Sequence, residues 1–273
     1  MANPQPLYTR ENCSFCAPLR WGLTVFWREA IKDTSWLPDL GPVLEPDGIR
    51  LLGHRLLEAR VSQFSLSTLP HVTPLLIVNR VKGRLQYLVR RSFPKAFQRN
   101  YALRSFGSAT REAVEAYVAS QLARHPMADN RVHTLLQRFQ IAHPEIDLSR
   151  HRASTHGIYW HNLHVVLVHR ERWAEVREAV LEGVCQMVER LSRAKGYALS
   201  RAGILPDHIH LTLGCPLAVA PVDVALAFLN NLAYVHGMKP VFQFGAYVGT
   251  FGEYHQGAVR SDSKMVEGGG PVK

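Results

Sequence analysis

Pro206-Asp207-His208-Ile209-His210-Leu211 sets two imidazoles at i and i+2 behind a turn. On a strand such residues share a face, so His208 and His210 can grip one ion or one phosphate together. Far upstream, Tyr117-Val118-Ala119-Ser120-Gln121 places a phenol and a carboxamide at i and i+4, on one face of a helix. A tyrosine hydroxyl can attack phosphorus, and an ion held by paired imidazoles can polarise the phosphate under attack. In a basic chain this combination points to cleavage of a nucleic-acid strand. The two pieces lie in opposite halves of the sequence.

The chain has 273 residues, is 47% hydrophobic and carries a net charge of +10, enough for one large core or two small ones and favouring a polyanionic partner. No apolar run reaches the roughly 20 residues of a membrane span, and Met1-Ala2-Asn3-Pro4 lacks a signal-peptide pattern. The expected setting is the reducing cytoplasm, because four cysteines in this length make no disulfide framework. Cys13-x-x-Cys16 has no second pair at zinc-site spacing, so plain thiols are expected.

The elements that must position these groups are clearest in the second half. Tyr159 to His169 alternates as a strand, with His164 and His169 as sheet residues, and Ala174 to Arg193 has helical spacing. Strands follow at Tyr197 to Ile204 and His208 to Leu213, then a helix at Pro221 to Tyr234 and a strand at Gln243 to Phe251. The order is β-α-β-β-α-β, with helices on one face of an antiparallel sheet. The first half reads the same way: strand Leu19 to Phe26, helix Gly48 to Val61, a short segment Ser62 to Ser67, strand His71 to Val78, basic helix Lys82 to Arg91 and strand Tyr101 to Phe106. A further helix, Ala109 to Ala123, is capped by Ser108 or Thr110.

Two local matches suggest duplication. Pro70-His71-Val72-Thr73 resembles Asp207-His208-Ile209-His210, and Arg104-Ser105-Phe106-Gly107-Ser108 resembles Gly249-Thr250-Phe251-Gly252-Glu253. The expected divisions are residues 1–126, a partly helical linker at 127–152, a second unit at 153–261 and a disordered tail at 262–273.

The Pro-Asp-His-Ile-His-Leu run, Val81-Lys82-Gly83, Ser105-Phe106-Gly107 and the Tyr117-x-x-x-Gln121 helix together resemble the HUH-type single-tyrosine transposases of small insertion sequences and their REP-associated relatives. The resemblance covers most of the chain, thinly in the first 60 residues. It implies an α+β fold of two tandem ferredoxin-like HUH domains, in a family whose dimers let one subunit's tyrosine work with the other's histidines. It also implies Tyr117 as the nucleophile, forming a 5′-phosphotyrosine, with His208, His210 and the Gln121 carbonyl holding Mg²⁺ or Mn²⁺. The substrate class it implies is single-stranded DNA bearing hairpins. The departure from the family pattern is specific. Carried forward by the Phe106–Phe251 offset, Tyr117 falls on Asp262 and Gln121 on Val266, while His71-Val72-Thr73 stands as a decayed metal motif. Each half lacks what the other keeps, which suggests a monomer acting as a fused pseudo-dimer with one composite site.

Tyr254 is the rival nucleophile, close in sequence to the histidine strand's own half. Arg80, Lys82, Arg84, Arg90, Arg91, Lys95, Arg99 and Arg104, interleaved with Tyr87, Phe93, Phe97 and Tyr101, form the expected DNA-binding stretch. Two other readings compete. His71-x-Thr73 and His210-x-Thr212 fit the paired motif of metal-independent two-histidine phosphoesterases, and a transposase-derived chain could persist as a non-catalytic hairpin-binding protein. A histidine-triad nucleotide hydrolase would need a third alternate histidine where this chain has Thr212.

Overall fold

The computed structural model describes residues 5–125, 127 and 129–253; Tyr254, Asp262 and Val266 lie outside the described residues. The fold is α+β, with two six-stranded sheets and seven α-helices among the described residues. In chain order these are β1 (Ser14–Cys16), β2 (Arg20–Trp27), α1 (Leu37–Leu44), β3 (Ile49–Glu58), β4 (Val61–Thr68), α2 (Pro74–Val89) and β5 (Phe97–Phe106). Then follow α3 (Arg111–Ala119), α4 (Gln121–Arg124), α5 (Asn130–Gln137), β6 (Ile141–Ala142), β7 (Arg152–Ser154) and β8 (Gly157–Trp160). The chain continues through β9 (Asn162–Val168), α6 (Glu178–Lys195), β10 (Ala198–Ile204), β11 (His208–Gly214), α7 (Pro221–Val235) and β12 (Gly245–Thr250). No helix among the described residues is long and apolar enough to cross a membrane.

The sheets are two versions of one arrangement. One runs β3-β4-β2-β5-β8-β7 and the other β6-β10-β11-β9-β12-β1, so β3-β4-β2-β5 and β10-β11-β9-β12 share the same strand permutation. Alternate residues of each central strand enter a core under two helices, as the strand period requires. Trp21, Leu23, Val25 and Trp27 pack with Leu40, Ile77 and Val81 in the first half. Leu163, Val165, Leu167, Ile209 and Leu211 pack with Val184, Val188, Phe228 and Leu232 in the second. Apolar positions Leu181, Val184, Val188 and Leu191 set the buried stripe of α6, which ends at Gly196 in the left-handed region (φ 67).

The two halves exchange strands. β1, from the N-terminal half, pairs in parallel with β12, while β8, from the C-terminal half, pairs in parallel with β5. The seam between the halves is built from the two segments that resemble each other in sequence. The Thr250 hydroxyl donates to the Phe106 carbonyl (2.7 Å), the Ser105 hydroxyl to the Phe251 carbonyl (3.4 Å), and the Gly107 amide to the Gly252 carbonyl (3.2 Å). Near-equivalent segments meeting one another are what a two-fold contact requires. Gly107 has no alternative there, because a Cβ would stand 2.4 Å from the Thr250 carbonyl oxygen. Gly107→Ala is therefore expected to lower unfolding free energy by about 2–4 kcal/mol, read from a denaturant midpoint. An unchanged midpoint would mean that the seam is not closed in solution.

Two first-half expectations are corrected. Gly48 to Val61 is not a helix: Ile49–Glu58 is an edge strand carrying irregularities between Leu51 and Gly53 and between Leu56 and Glu58. Each bulge shifts the strand's phase by one residue, so its leucines fall at spacings that mimic a helical stripe. Leu52 and Leu56 are in fact exposed, at 49% and 40%. His71 to Val78 is not a strand. Thr73 caps α2 by accepting from the Leu76 amide (3.1 Å), Pro74 occupies the first turn, and Ile77, Val78, Val81 and Leu85 are buried at helical spacing. His71 consequently sits in an exposed turn and does not occupy the position of His208. By ladder register the counterparts are different residues: Gln63 pairs with Thr24 as His210 pairs with Val166, and Val61 with Phe26 as His208 with Val168. The His-x-Thr pair of the phosphoesterase reading loses its symmetry with this correction.

Candidate functional site

β11 pairs with β9 so that His208 stands opposite Val168 and His210 opposite Val166. Ile209 and Leu211 point into the core, which turns His208, His210 and Thr212 to the other face of the sheet. That face is covered by a helix from the other half of the chain. After β5 the backbone crosses the seam and begins α3, where the Thr110 hydroxyl accepts from the Ala113 amide (3.2 Å). The helix packs on β10 and β11. Gly203 allows the close approach: a Cβ there would stand 3.2 Å from the Val118 carbonyl oxygen, on the residue that pairs with His210.

Val114 and Val118 anchor α3, leaving Tyr117 39% exposed on the flank toward the histidines. Its ring meets that of His210 edge-on at 5.6 Å between centroids, and that of His164 at 6.2 Å. The Arg124 guanidinium lies 5.4 Å from the Tyr117 ring centroid. The helix is interrupted at Ser120, whose hydroxyl donates to the Tyr117 carbonyl (3.0 Å), and resumes as α4. Gln121 is buried, with its amide nitrogen donating to the same carbonyl (3.1 Å). Tyr117, Gln121, His125, Val166, Val168, Arg172, Asp207, His208 and His210 line one open cleft of about 540 Å³. The structure thus brings together Tyr117, Gln121, His208 and His210.

The imidazoles are held from behind. His208 Nδ1 is 2.6 Å from Asp207 Oδ1, and Asp207 in turn accepts from Arg172 (3.0 Å). His210 Nδ1 is 3.0 Å from His164 Nε2, with the two rings stacked at 5.3 Å. Both pairs leave Nε2 as the free nitrogen, the arrangement in which an outer partner fixes a ligating imidazole. Burial pushes the His210 pKa down to about 3, helped by neighbouring His164, His208 and His125; burial also lowers His208, against the pull of Asp207. Both are neutral at pH 7, the form that ligates a metal. Burial works against ionisation of Asp207, but its hydrogen bond to His208 and the nearby charge of Arg172 hold its carboxyl below the usual value. Among the described residues no cluster of three or more His, Cys, Asp or Glu side chains is arranged as a metal site. The donors the cleft does hold are two neutral imidazoles and the Gln121 amide carbonyl, which accepts no hydrogen bond among the described residues.

His125, His164 and Arg172 were not identified as site residues from the sequence. The rings of His125 and His208 are 5.5 Å apart. No motif flags the three, although His164 lies on the strand that pairs with β11 and shares the face of His210. Of the basic stretch, none lines the cleft. Arg80 and Arg84 pair with Asp47, and Lys82 donates to the carbonyls of Gln98 and Arg99, where burial lowers its pKa to about 8. Arg90 stacks on Tyr87, Arg104 lies over Trp160, and Arg91, Lys95 and Arg99 are exposed. Phe93 and Phe97 pack against Trp27 and Tyr101 is buried, so Tyr87 is the exposed aromatic of that stretch.

Buried neutral histidines also tie stability to pH. His161, fully enclosed and bonded through Nδ1 to the Pro216 carbonyl, has its pKa lowered to about 4 by burial, and His236 is lowered to about 4 for the same reason. Between their folded values and the ordinary value near 6.5 the unfolded chain binds more protons. Their contribution is therefore complete above about pH 6.5 and is lost as pH falls toward 4. Melting at pH 7, 5.5 and 4.5 should show a steady fall worth roughly 3 kcal/mol per group; a flat profile would place both rings in contact with solvent.

No family model matches the chain, and no curated protein matches it. Among solved structures it is similar to "a putative transposase" from Deinococcus radiodurans R1, at 15% identity and a TM-score of 0.33, over 42% of this chain and 95% of that one. It is also similar to an unknown protein from Galdieria sulphuraria, at 11% identity and a TM-score of 0.22, over 85% of this chain and 98% of that one. A "putative glycine cleavage system transcriptional repressor" has 7% identity and a TM-score of 0.22, over 86% of this chain and 98% of that one. At these TM-scores the likenesses carry no weight for fold or function.

Proposed function

We propose that the chain is a single-strand DNA endonuclease of the transposase type, acting as a monomer with one composite site. The observation that carries this reading is the meeting of Tyr117 with His210, ring to ring at 5.6 Å, in a cleft shared with Gln121 and His208. Tyr117 Oη attacks the scissile phosphorus, the bond to the 3′-oxygen breaks, and the strand leaves with a 3′-hydroxyl while its 5′-phosphate stays on the tyrosine. The phosphodiester energy is retained in that link, so a second 3′-hydroxyl can reverse the step. His208, His210 and Gln121 would hold a divalent ion, Mg²⁺ or Mn²⁺, which would supply Lewis-acid polarisation of the phosphate. Asp207 and His164 keep the two imidazoles oriented, and Arg124 and Arg172 add positive charge at the cleft for the DNA backbone. The expected substrate is single-stranded DNA with hairpins.

The test is to incubate the protein with labelled hairpin-bearing single strands and Mn²⁺, with and without chelator. Cleavage that releases a 3′-hydroxyl and stops on chelation is expected. Cleavage indifferent to chelation would favour the two-histidine phosphoesterase, and tight binding without cleavage would favour a non-catalytic hairpin-binding protein.

A further inference from the structure

The turn after β9 separates the cleft from a second cavity. Arg172 faces the cleft beside Asp207, whereas Arg170, Glu171 and Trp173 of the same turn line a space of about 640 Å³ with Arg177, His236 and Lys239. Its apolar wall comes from Val180, Val235 and Val241.

Three features of this cavity are unusual for the molecule. Trp173 is 42% exposed, whereas Trp21, Trp27, Trp36 and Trp160 are at most 8% exposed. The His236 side chain is only 2% exposed, and neither of its ring nitrogens has a hydrogen-bond partner among the described residues. Its nearest carboxylate, Glu175, is 3.8 Å away and is already bonded to Arg177 at 2.6 Å. A buried polar ring without a partner is costly, so the wall behind Trp173 is held at a cost to stability. Finally, Glu171 (φ 54), Arg172 (φ 55) and Met238 (φ 60) are the non-glycine residues in the left-handed region among those described, and all three fall in the two turns that flank the cavity. Such backbone is retained where the surroundings enforce it, and it clusters at ligand clamps.

The lining has the chemistry of a nucleotide site. An indole face stacks on any base. Arg170 and Lys239 are exposed and form no ion pair among the described residues, leaving them free for phosphate, with Glu171 as the one acidic group on the wall.

We infer that this cavity takes one nucleotide of the DNA strand bound in the neighbouring cleft, its base stacked on Trp173 and its phosphate beside Arg170 and Lys239. The inference rests on the DNA-strand reading of the cleft and adds a base-binding subsite to it. The strand turns past Arg172 to pass from one cavity to the other.

The experiment is fluorescence anisotropy of a short labelled single strand with the full chain, in chelator so that nothing is cleaved. Trp173→Ala is expected to weaken binding about tenfold and Trp173→Phe much less. Arg170→Gln combined with Lys239→Gln should weaken binding and flatten its salt dependence. An abasic site walked along the strand should cost the wild type about tenfold at one position and cost Trp173→Ala nothing there. If Trp173→Ala does not fold, the same walk against the Arg170 and Lys239 double variant decides, through loss of its salt slope. Equal abasic losses in wild type and variant at every position would overturn the subsite, and a Tyr117-dependent adduct in the same preparation would leave the function standing. A wild type that binds no strand would overturn both. Capture of a free deoxynucleoside monophosphate without strand binding would make this a nucleotide site and likewise overturn the inference.

Discussion

Tyr117→Phe is expected to abolish the covalent protein–DNA adduct, a loss of at least about 1,000-fold in cleavage, while single-strand binding stays within about twofold. The change removes one oxygen. The ring keeps its edge contacts with His164 and His210 and its place beside Arg124, so α3 stays docked through Val114 and Val118. Among the described residues that line the cleft, Tyr117 carries the hydroxyl, the other polar groups being amide, imidazole, guanidinium and carboxylate. The measurement is a denaturing gel with labelled strand, paired with anisotropy for binding. A variant that still forms the adduct at wild-type yield would remove Tyr117 from the chemistry.

The second large effect concerns the histidine pair. His208→Ala combined with His210→Ala should lower metal-dependent cleavage by more than about 100-fold and remove Mn²⁺ binding, measured separately by calorimetry. Asp207→Asn tests the outer layer. It leaves both imidazoles but weakens the 2.6 Å contact behind His208, and it should lower Mn²⁺ affinity by about 10- to 100-fold. Unchanged Mn²⁺ affinity in the double variant would show that these imidazoles hold no ion, leaving them to contact phosphate directly.

The second half was legible in the sequence because its signals are local and unbroken. β10, β11, α6 and α7 lie within a few residues of their expected bounds, since a clean period of two or of 3.6 survives wherever one face is buried. The first half was harder for two particular reasons. Bulges in β3 turned an edge strand into an apparent helical stripe, and the apolar run Val72 to Val78 read as a strand although Thr73 and Pro74 are helix-start residues. The strand exchange left no local trace at all. Tyr159 to His169 read as one strand, yet the chain steps at His161 so that β8 joins one sheet and β9 the other. Within the site, the residues with motif spacing were visible, namely Tyr117, Gln121, His208 and His210. His164, His125 and Arg172 come from β9, the end of α4 and the turn after β9, and only the tertiary fold brings them to the cleft.

The composite site is tested most directly by finding which tyrosine carries the DNA. Protein would be reacted with a hairpin-bearing single strand and Mn²⁺, digested with nuclease and protease, and the phosphonucleotide-bearing peptide sequenced by mass spectrometry. The modification is expected on Tyr117, in the peptide that begins after Arg111, placing the nucleophile from one half against the histidines of the other. Modification of Tyr254 instead would put nucleophile and histidines in the same half and contradict the composite site.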